Sequence, residues 1–295
     1  MNRTLLHLSD LHFGSPQARA RARTLLGVID ALRPDLVAVS GDLTQRARSA
    51  EFAEAREFLD AMRAPRVVVP GNHDVPLWNV ARRLLSPLGK WHRHLGTATQ
   101  TTYLDAGLAV VGIDSTRRLG VKGGLVGSDD LWAVARTLHG AAEGACRIVV
   151  AHHPLEHATK AGPGDTAMGG RRALHALARL GVELVLSGHV HESGTFRPVD
   201  RSSGRDGPVL LVNAGTATSH RGRRSERDAN SFNLITVRSS EIGVATYVHS
   251  PSGVTYVAED VTWFPRVRRA ARRARRSGGG GGAPAVRDLG EAAAP

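Results

Sequence analysis

The sequence predicts an α/β fold with a β-rich segment after it. Three observations predict this. Apolar strand-like runs alternate with helical stretches over the first two-thirds of the chain. Five of those runs end in Asp, Asn or His side chains. The last third changes style, to strand-like runs with no helical stretch between them.

"TLLHLS" (4–9) reads as the first strand, and an Ala/Arg-rich stretch near 17–32 as the helix after it. "LVAVS" (36–40) is the second strand. In "SAEFAEAREFLDAM" (49–62) the residues Phe52, Ala55, Phe58, Leu59 and Met62 recur at helical spacing. "RVVVP" (66–70) and the helical "WNVARRLLSPL" (78–88) follow. "LAVVGID" (108–114), a helix near 129–139, "RIVVA" (147–151), a helix near 170–180 and "ELVLS" (183–187) continue the alternation. "PVLLVNAG" (208–215), "SFNLITV" (231–237) and "GVATYVHS" (243–250) are strands without helices between them.

With 295 residues, 41% of them hydrophobic, the chain can bury one sizeable core or two modest ones. No apolar run approaches the roughly 20 residues that span a bilayer. The opening "MNRTLLHLSDLH" lacks the apolar centre of a signal peptide. The single cysteine, Cys146, allows no internal disulfide and reads as a small residue at a strand entrance. These features point to a cytoplasmic protein. Of the formal charge of +12, seven units sit in "RVRRAARRARR" (266–276), leaving a mildly basic remainder of +5 that suits anionic substrates. "SGGGGGA" (277–283) reads as a flexible linker. The expected organisation is a folded domain over 1–265 and a basic, Gly-rich, disordered tail over 266–295. The tail's contact with nucleic acid or an anionic membrane is weighed against a merely solubilising role, and the latter is preferred.

The five polar strand ends carry the chemistry. They are Asp10-Leu11-His12, Gly41-Asp42, Gly71-Asn72-His73-Asp74, His152-His153-Pro154 and Gly188-His189-Val190-His191. Singly, each has a plain structural explanation. Gly-Asp is a common turn, Asp10 suits a helix cap, and Asn72 tolerates a left-handed turn. Together, five strand ends on one edge of an α/β sheet supply converging ligands. Mixed carboxylate, amide and imidazole groups suit Mn, Fe, Zn or Co. A two-metal centre needs a shared carboxylate, and Asp42 is the natural bridge.

The order and spacing of "DLH", "GD", "GNHD", "HHP" and "GHVH" resemble the calcineurin-like metallophosphoesterases. "SDLHFG", "VVPGNHD", "AHHPL" and the later "NAGTATSHRGR" resemble most closely the bacterial class III 3′,5′-cyclic nucleotide phosphodiesterases. The resemblance implies a four-layer α-β-β-α sandwich with two mixed sheets, the metallo-dependent phosphatase fold. It implies that Asp10, His12 and His191 hold one divalent or trivalent ion. Asn72, His152 and His189 would hold a second, with Asp42 bridging. His152 is preferred to His153 because it comes first after the strand, where the family's ligand sits. His73 would serve the leaving oxygen as an acid or charge stabiliser, with Asp74 orienting its imidazole. The implied reaction is hydrolysis of a phosphodiester by a hydroxide held between the ions. A small anionic phosphoester is the implied partner, cyclic AMP the first candidate.

Alternatives are a DNA nuclease of the double-strand-repair type, a broad-specificity phosphodiesterase or phosphatase, and a metal-free scaffold. The intact ligand positions argue against the scaffold. An amidohydrolase barrel carries its His-x-His on the first strand rather than the last metal-bearing one, so order argues against it too. Arg221, Arg223 and Arg224 follow the Gly-Thr loop and read equally as substrate contacts or a solvated loop. His7 reads as a core residue, and His92 and His94 as surface residues. Nothing in the sequence reads out an oligomeric state.

Overall fold

The structure, a computed structural model, describes residues 2–77, 79–96, 101–117, 122–156, 164–200, 205–222, 226, 229–249 and 255–267. Arg223, Arg224 and the tail beyond Val267 lie outside the described residues.

The first half runs β1 (Arg3–Leu8), α1 (Pro16–Leu32), β2 (Leu36–Ser40), α2 (Ser49–Ala61) and β3 (Arg66–Val69). A one-turn 3-10 helix over Asn72–Asp74 follows, then α3 (Val80–Leu85) and α4 (Gly89–Leu95). Next come β4 (Thr102–Leu104), β5 (Leu108–Gly112), α5 (Ser128–His139), β6 (Cys146–Val150), α6 (Gly170–Arg179) and β7 (Leu184–Ser187). The rest is β: β8 (Gly194–Phe196), β9 (Val199–Asp200), β10 (Arg205–Asp206), β11 (Leu210–Asn213), β12 (Asn230–Val237), β13 (Glu241–His249), β14 (Val257–Ala258) and β15 (Thr262–Pro265).

Local chemistry explains the helix starts. Ser15 caps α1 by accepting from Ala18 N, with Pro16 in the first turn, where a missing N–H costs nothing. Glu51 at the start of α2 turns back to accept from the N–H groups of Arg46 and Arg48.

Apart from β9 and β10, which pair only with each other, the described strands form two mixed sheets. One has the order β14-β13-β12-β1-β2-β3, with β15 also paired to β13; the other has the order β4-β5-β6-β7-β11-β8. In the first, β1, β2 and β3 are parallel and β12 is antiparallel to β1. In the second, β5, β6, β7 and β11 are parallel.

Strand alternation divides the apolar side chains into three cores, which makes four layers. Leu6, Leu8, Val37, Val39 and Val68 pack outward against Leu25 and Ile29 of α1 and Phe52 and Leu59 of α2. Leu5, Ala38, Val67 and Val69 face inward and meet Val110, Ile148, Val150, Leu186 and Val212 of the other sheet. Ala109, Val111, Val149 and Val185 cover α5 and α6 through Val134, Leu138, Leu174 and Leu177. These strands bury both faces, which is why they read as unbroken apolar runs. Cys146 lies in the inter-sheet core. His7 is buried there too, its Nε2 2.9 Å from Ser40 Oγ.

Two readings are refined. The "KWHRHL" segment is α4, with Trp91 buried and His94 stacked on Phe52 at 5.9 Å. His92 is exposed. The five polar strand ends come from both sheets, so the site straddles the sandwich rather than one sheet edge. Arg266, just after β15, pairs with buried Glu183 at 2.5 and 2.8 Å and ties that strand to the opposite sheet.

Candidate metal centre

Asp10, His12, Asp42 and His191 form one buried group whose candidate ligand atoms lie within 4.8 Å of one another; His152, His153 and His189 form a second. Asp42 joins them. Its Oδ2 is 3.8 Å from His12 Nε2 and 3.4 Å from His152 Nε2, while its Oδ1 accepts from His73 N at 2.8 Å. Asn72 Oδ1 lies 3.0 Å from His152 Nε2, so the amide belongs with the second group.

Backbone conformation brings these side chains together. Asp10, His12, Asp42, His189 and His191 all have positive φ, between 47° and 69°. Such residues cost of order 1–3 kcal/mol each and persist only where the surroundings over-determine them. Here the surroundings do. His189 N and Ser9 Oγ both donate to Asp10 Oδ2, at 2.9 and 2.6 Å. The loops approach so closely that only glycine fits at several places, Gly188 and Gly41 among them. A Cβ on Gly188 would collide with Ser9 and Asp10, and one on Gly41 (φ +93°) would sit 2.7 Å from His152 Nδ1.

The histidines reveal which nitrogens face the centre. His12 Nδ1 donates to Thr44 O (3.3 Å), His152 Nδ1 to Ser40 O (2.8 Å), and His191 Nδ1 to Arg221 O (2.8 Å). His189 Nε2 donates to Gly164 O (3.1 Å). A carbonyl can only accept, so each bond fixes a tautomer and leaves the other nitrogen's lone pair for a cation. His153 differs. Its Nε2 donates to Lys122 O (3.0 Å) and its Nδ1 takes the Ser115 hydroxyl (2.9 Å), so neither nitrogen is left to ligate. His153 therefore packs beside the centre although it clusters with His152 and His189.

A cation fits this arrangement. Asp10 Oδ1 is buried with no hydrogen-bond donor. It lies 3.0 Å from His191 Nε2 and 3.5 Å from His12 Nε2, and those two nitrogens are 3.1 Å apart. Three lone pairs converging in a buried space need positive charge among them. Electrostatics agrees. Burial alone would raise the Asp10 carboxyl, but His191, His12 and His152 hold it well below the carboxylate range. Burial would likewise raise Asp42, yet His152 and its neighbours hold it down. Burial lowers His12 to about 4; burial and the charge of His152 lower His189 to about 4. Both imidazoles are thus neutral, as metal ligands must be. Burial disfavours charge on His152 as well, but Asp42 outweighs it and raises the imidazole to about 9.

Asp74 is corrected. Its carboxylate accepts from Gly71 N (2.9 Å), Leu43 N (3.2 Å), Thr44 N (2.8 Å) and Thr44 Oγ1 (2.9 Å), and makes no bond to the His73 ring. The side chain sits under the loop it closes, so it braces the second and third strand ends against each other. His73 Nδ1 instead donates to Gln45 O at 2.7 Å. That leaves His73 Nε2 on the open side, where it accepts from Arg221 Nη1 at 3.3 Å.

The sequence model of the family described as calcineurin-like phosphoesterase matches residues 3–193, which hold all five strand ends. The chain belongs to the calcineurin-like phosphoesterase family. The two buried groups, Asp10–His12–Asp42–His191 and His152–His153–His189, lie within the matched segment and are its candidate metal-binding centre. Among curated relatives, it is 30% identical over 168 residues to the glycerophosphodiester phosphodiesterase GpdQ of Enterobacter lignolyticus, covering 51% of this chain and 57% of that protein. It is 28% identical over 207 residues to a probable cyclic nucleotide phosphodiesterase of Synechococcus sp., covering 65% of this chain and 75% of that protein. Two solved structures show the fold. A purple acid phosphatase from yellow lupin superposes with a TM-score of 0.66 at 13% identity, over 90% of this chain and 54% of that one. A dimetal phosphatase from Danio rerio gives 0.62 at 12%, over 90% and 99%. Among the described residues no helix is long and apolar enough to cross a membrane.

Proposed function

We propose that this phosphoesterase hydrolyses phosphodiesters at a pair of metal ions, with cyclic AMP the first substrate to test. The observation that carries the reading is the position of Asp42 Oδ2, shared between His12 of one cluster and His152 of the other. The two curated relatives, both named as phosphodiesterases, support the diester preference. Asp10, His12 and His191 would hold one ion, Asn72, His152 and His189 the other, and Asp42 both. Bound there, the ions would supply Lewis acidity toward the phosphoryl group and lower the pKa of water.

The chain's own groups do the rest. The Thr44, Ser40, Arg221 and Gly164 carbonyls hold the imidazoles in their ligating tautomers. The main-chain N–H of His73 steadies Asp42, so its side chain is left for the substrate. His73 Nε2 faces the open side as an acceptor; once the ring takes a second proton there from solvent, it can hand that proton to the leaving oxygen. A domain ending near residue 265, with 266–295 as an appendage, goes with this reading, as does a cytoplasmic location. Full activity in a chain truncated after 267 and recovery of tagged protein in the cytosolic fraction test those two points.

The main test is a hydrolysis panel with Mn²⁺: cyclic AMP, cyclic GMP, a glycerophosphodiester, a model monoester and single-stranded DNA. Turnover of a diester is expected, fastest with cyclic AMP. Cleavage of the monoester alone would overturn the diesterase reading. A glycerophosphodiester as the preferred substrate is the second reading, favoured by the GpdQ relationship.

A further inference from the structure

We propose that Arg221 is the phosphate-gripping residue of this site. Its guanidinium would move from His73 to the non-bridging oxygens of a phosphoester seated on the two clusters. The proposal rests on the phosphoesterase reading above and adds to it a specific cationic residue for the substrate.

The main chain around Arg221 is anchored to the centre. Arg221 O accepts from His191 Nδ1 at 2.8 Å, and Arg221 N donates to Ser219 Oγ at 3.3 Å. Ser219 Oγ lies 2.7 Å from Thr216 Oγ1, which donates to Asp10 O at 2.7 Å. Thr218 Oγ1 donates to Leu11 O, and Asn230 Nδ2 bonds to the carbonyls of Thr216 and Ser219. Glu226, a buried carboxylate, accepts from Ser193 N at 2.7 Å and from the hydroxyls of Ser193 and Ser231. The loop is thereby clamped to the strand ends carrying Asp10 and His191. Its position relative to those ligands is set by hydrogen bonds rather than by a free excursion.

The side chain then reaches the one imidazole left for substrate. Arg221 Nη1 donates to His73 Nε2 at 3.3 Å, and the His73 ring packs edge-on against His12 at 4.8 Å. Other arginines here find carboxylates: Arg3 with Asp35 and Asp105, Arg19 with Glu54, Arg266 with Glu183. Arg221 has none among the described residues. A guanidinium carries five N–H donors in a fork shaped for phosphate, and one imidazole nitrogen satisfies only one of them. A half-buried cation without a counter-carboxylate among the described residues, beside a phosphoester centre, is a place for an anion. Moving it onto the phosphate also frees His73 Nε2 to take up a solvent proton and pass it to the leaving oxygen, so one rearrangement serves both residues.

The test uses full-length protein loaded with Mn²⁺, as wild type, Arg221→Ala and Arg221→Gln. Both substitutions keep the carbonyl that holds His191. Three quantities are measured: metal per chain, the Kd of inorganic phosphate by calorimetry, and KM and kcat on bis(p-nitrophenyl) phosphate. Unchanged metal content and about 10–100-fold weaker phosphate binding are expected, the size of one lost charge-assisted contact. A comparable fall in kcat/KM on the diester should accompany it. Phosphate affinity within about twofold of wild type would overturn the proposal, as would loss of metal from both variants, which would make Arg221 part of the His191 scaffold. If wild type binds phosphate in an Arg221-dependent way but cleaves no diester, the proposal stands and the diesterase reading falls.

Discussion

The two halves of the centre are built differently. The first gathers two carboxylates, Asp10 and the shared Asp42, with His12 and His191. The second has Asn72, His152 and His189, and borrows its only carboxylate from Asp42. The first cation would therefore meet one full carboxylate and a share of a second, the other cation only that share. That asymmetry predicts a tightly held first ion and a more loosely held, more Lewis-acidic second one. It also shows how a single carboxylate couples the clusters, with both of its oxygens engaged.

Replacing the shared group should break the comparison outright. Asp42→Ala is expected to lose both ions and at least ~10³-fold in kcat/KM, since Lewis-acid assistance amounts to several kcal/mol. Retention of two ions per chain by elemental analysis would refute the bridging role. His73→Ala tests the opposite case. Its side chain holds no cluster atom, so both ions should stay while kcat falls roughly 10²–10⁴-fold on a diester with a poor leaving group. An unchanged rate there would remove His73 from the chemistry.

The next tests separate the halves. Asn72→Ala and His152→Ala should each keep about one ion, because the carboxylate-rich half is untouched. His153→Ala should keep two and lose activity only modestly, since neither of its ring nitrogens is left to ligate. Loss of an ion from the His153 variant would mean the ligand is misassigned. The smallest effect concerns stability. Stripping the ions with a chelator should lower Tm by about 5–10 °C, taking ~2.7 kcal/mol for one site filled to 100 times its Kd. Most of the drop should appear when the first ion leaves, and equal drops for the two ions would contradict the asymmetry.

Much of this was readable before any coordinates. The alternation of Leu5 and Leu6, or of Val67 and Val68, announces strands buried on both faces. The five polar clusters announce themselves because Asp, Asn and His have no other reason to end five apolar strands in series. Other features had no sequence signal. Positive φ at Asp10, His12, Asp42, His189 and His191 depends on hydrogen bonds made across the rim. The family resemblance implies that Asp74 orients the His73 imidazole; its carboxylate turns instead to Leu43 and Thr44, some thirty positions away in sequence. Ser115 has no motif around it, yet its hydroxyl removes His153 from the ligand set. Arg221 reads in sequence equally as a substrate contact or a solvated loop residue, and only the hydrogen bonds that pin its loop to Asp10 and Leu11 separate the two.

The sequence by itself determined the kinds of atom available and the strand ends that present them, because side-chain chemistry and apolar periodicity are local properties of the chain. Tertiary structure alone decided which nitrogen of each imidazole faces inward, which partners occupy both nitrogens of His153, and where the guanidinium of Arg221 points. The physical reason is that a tautomer is fixed by the carbonyl at its other nitrogen, and those carbonyls, on Thr44, Ser40, Gly164 and Arg221, come from segments far from the histidines they hold.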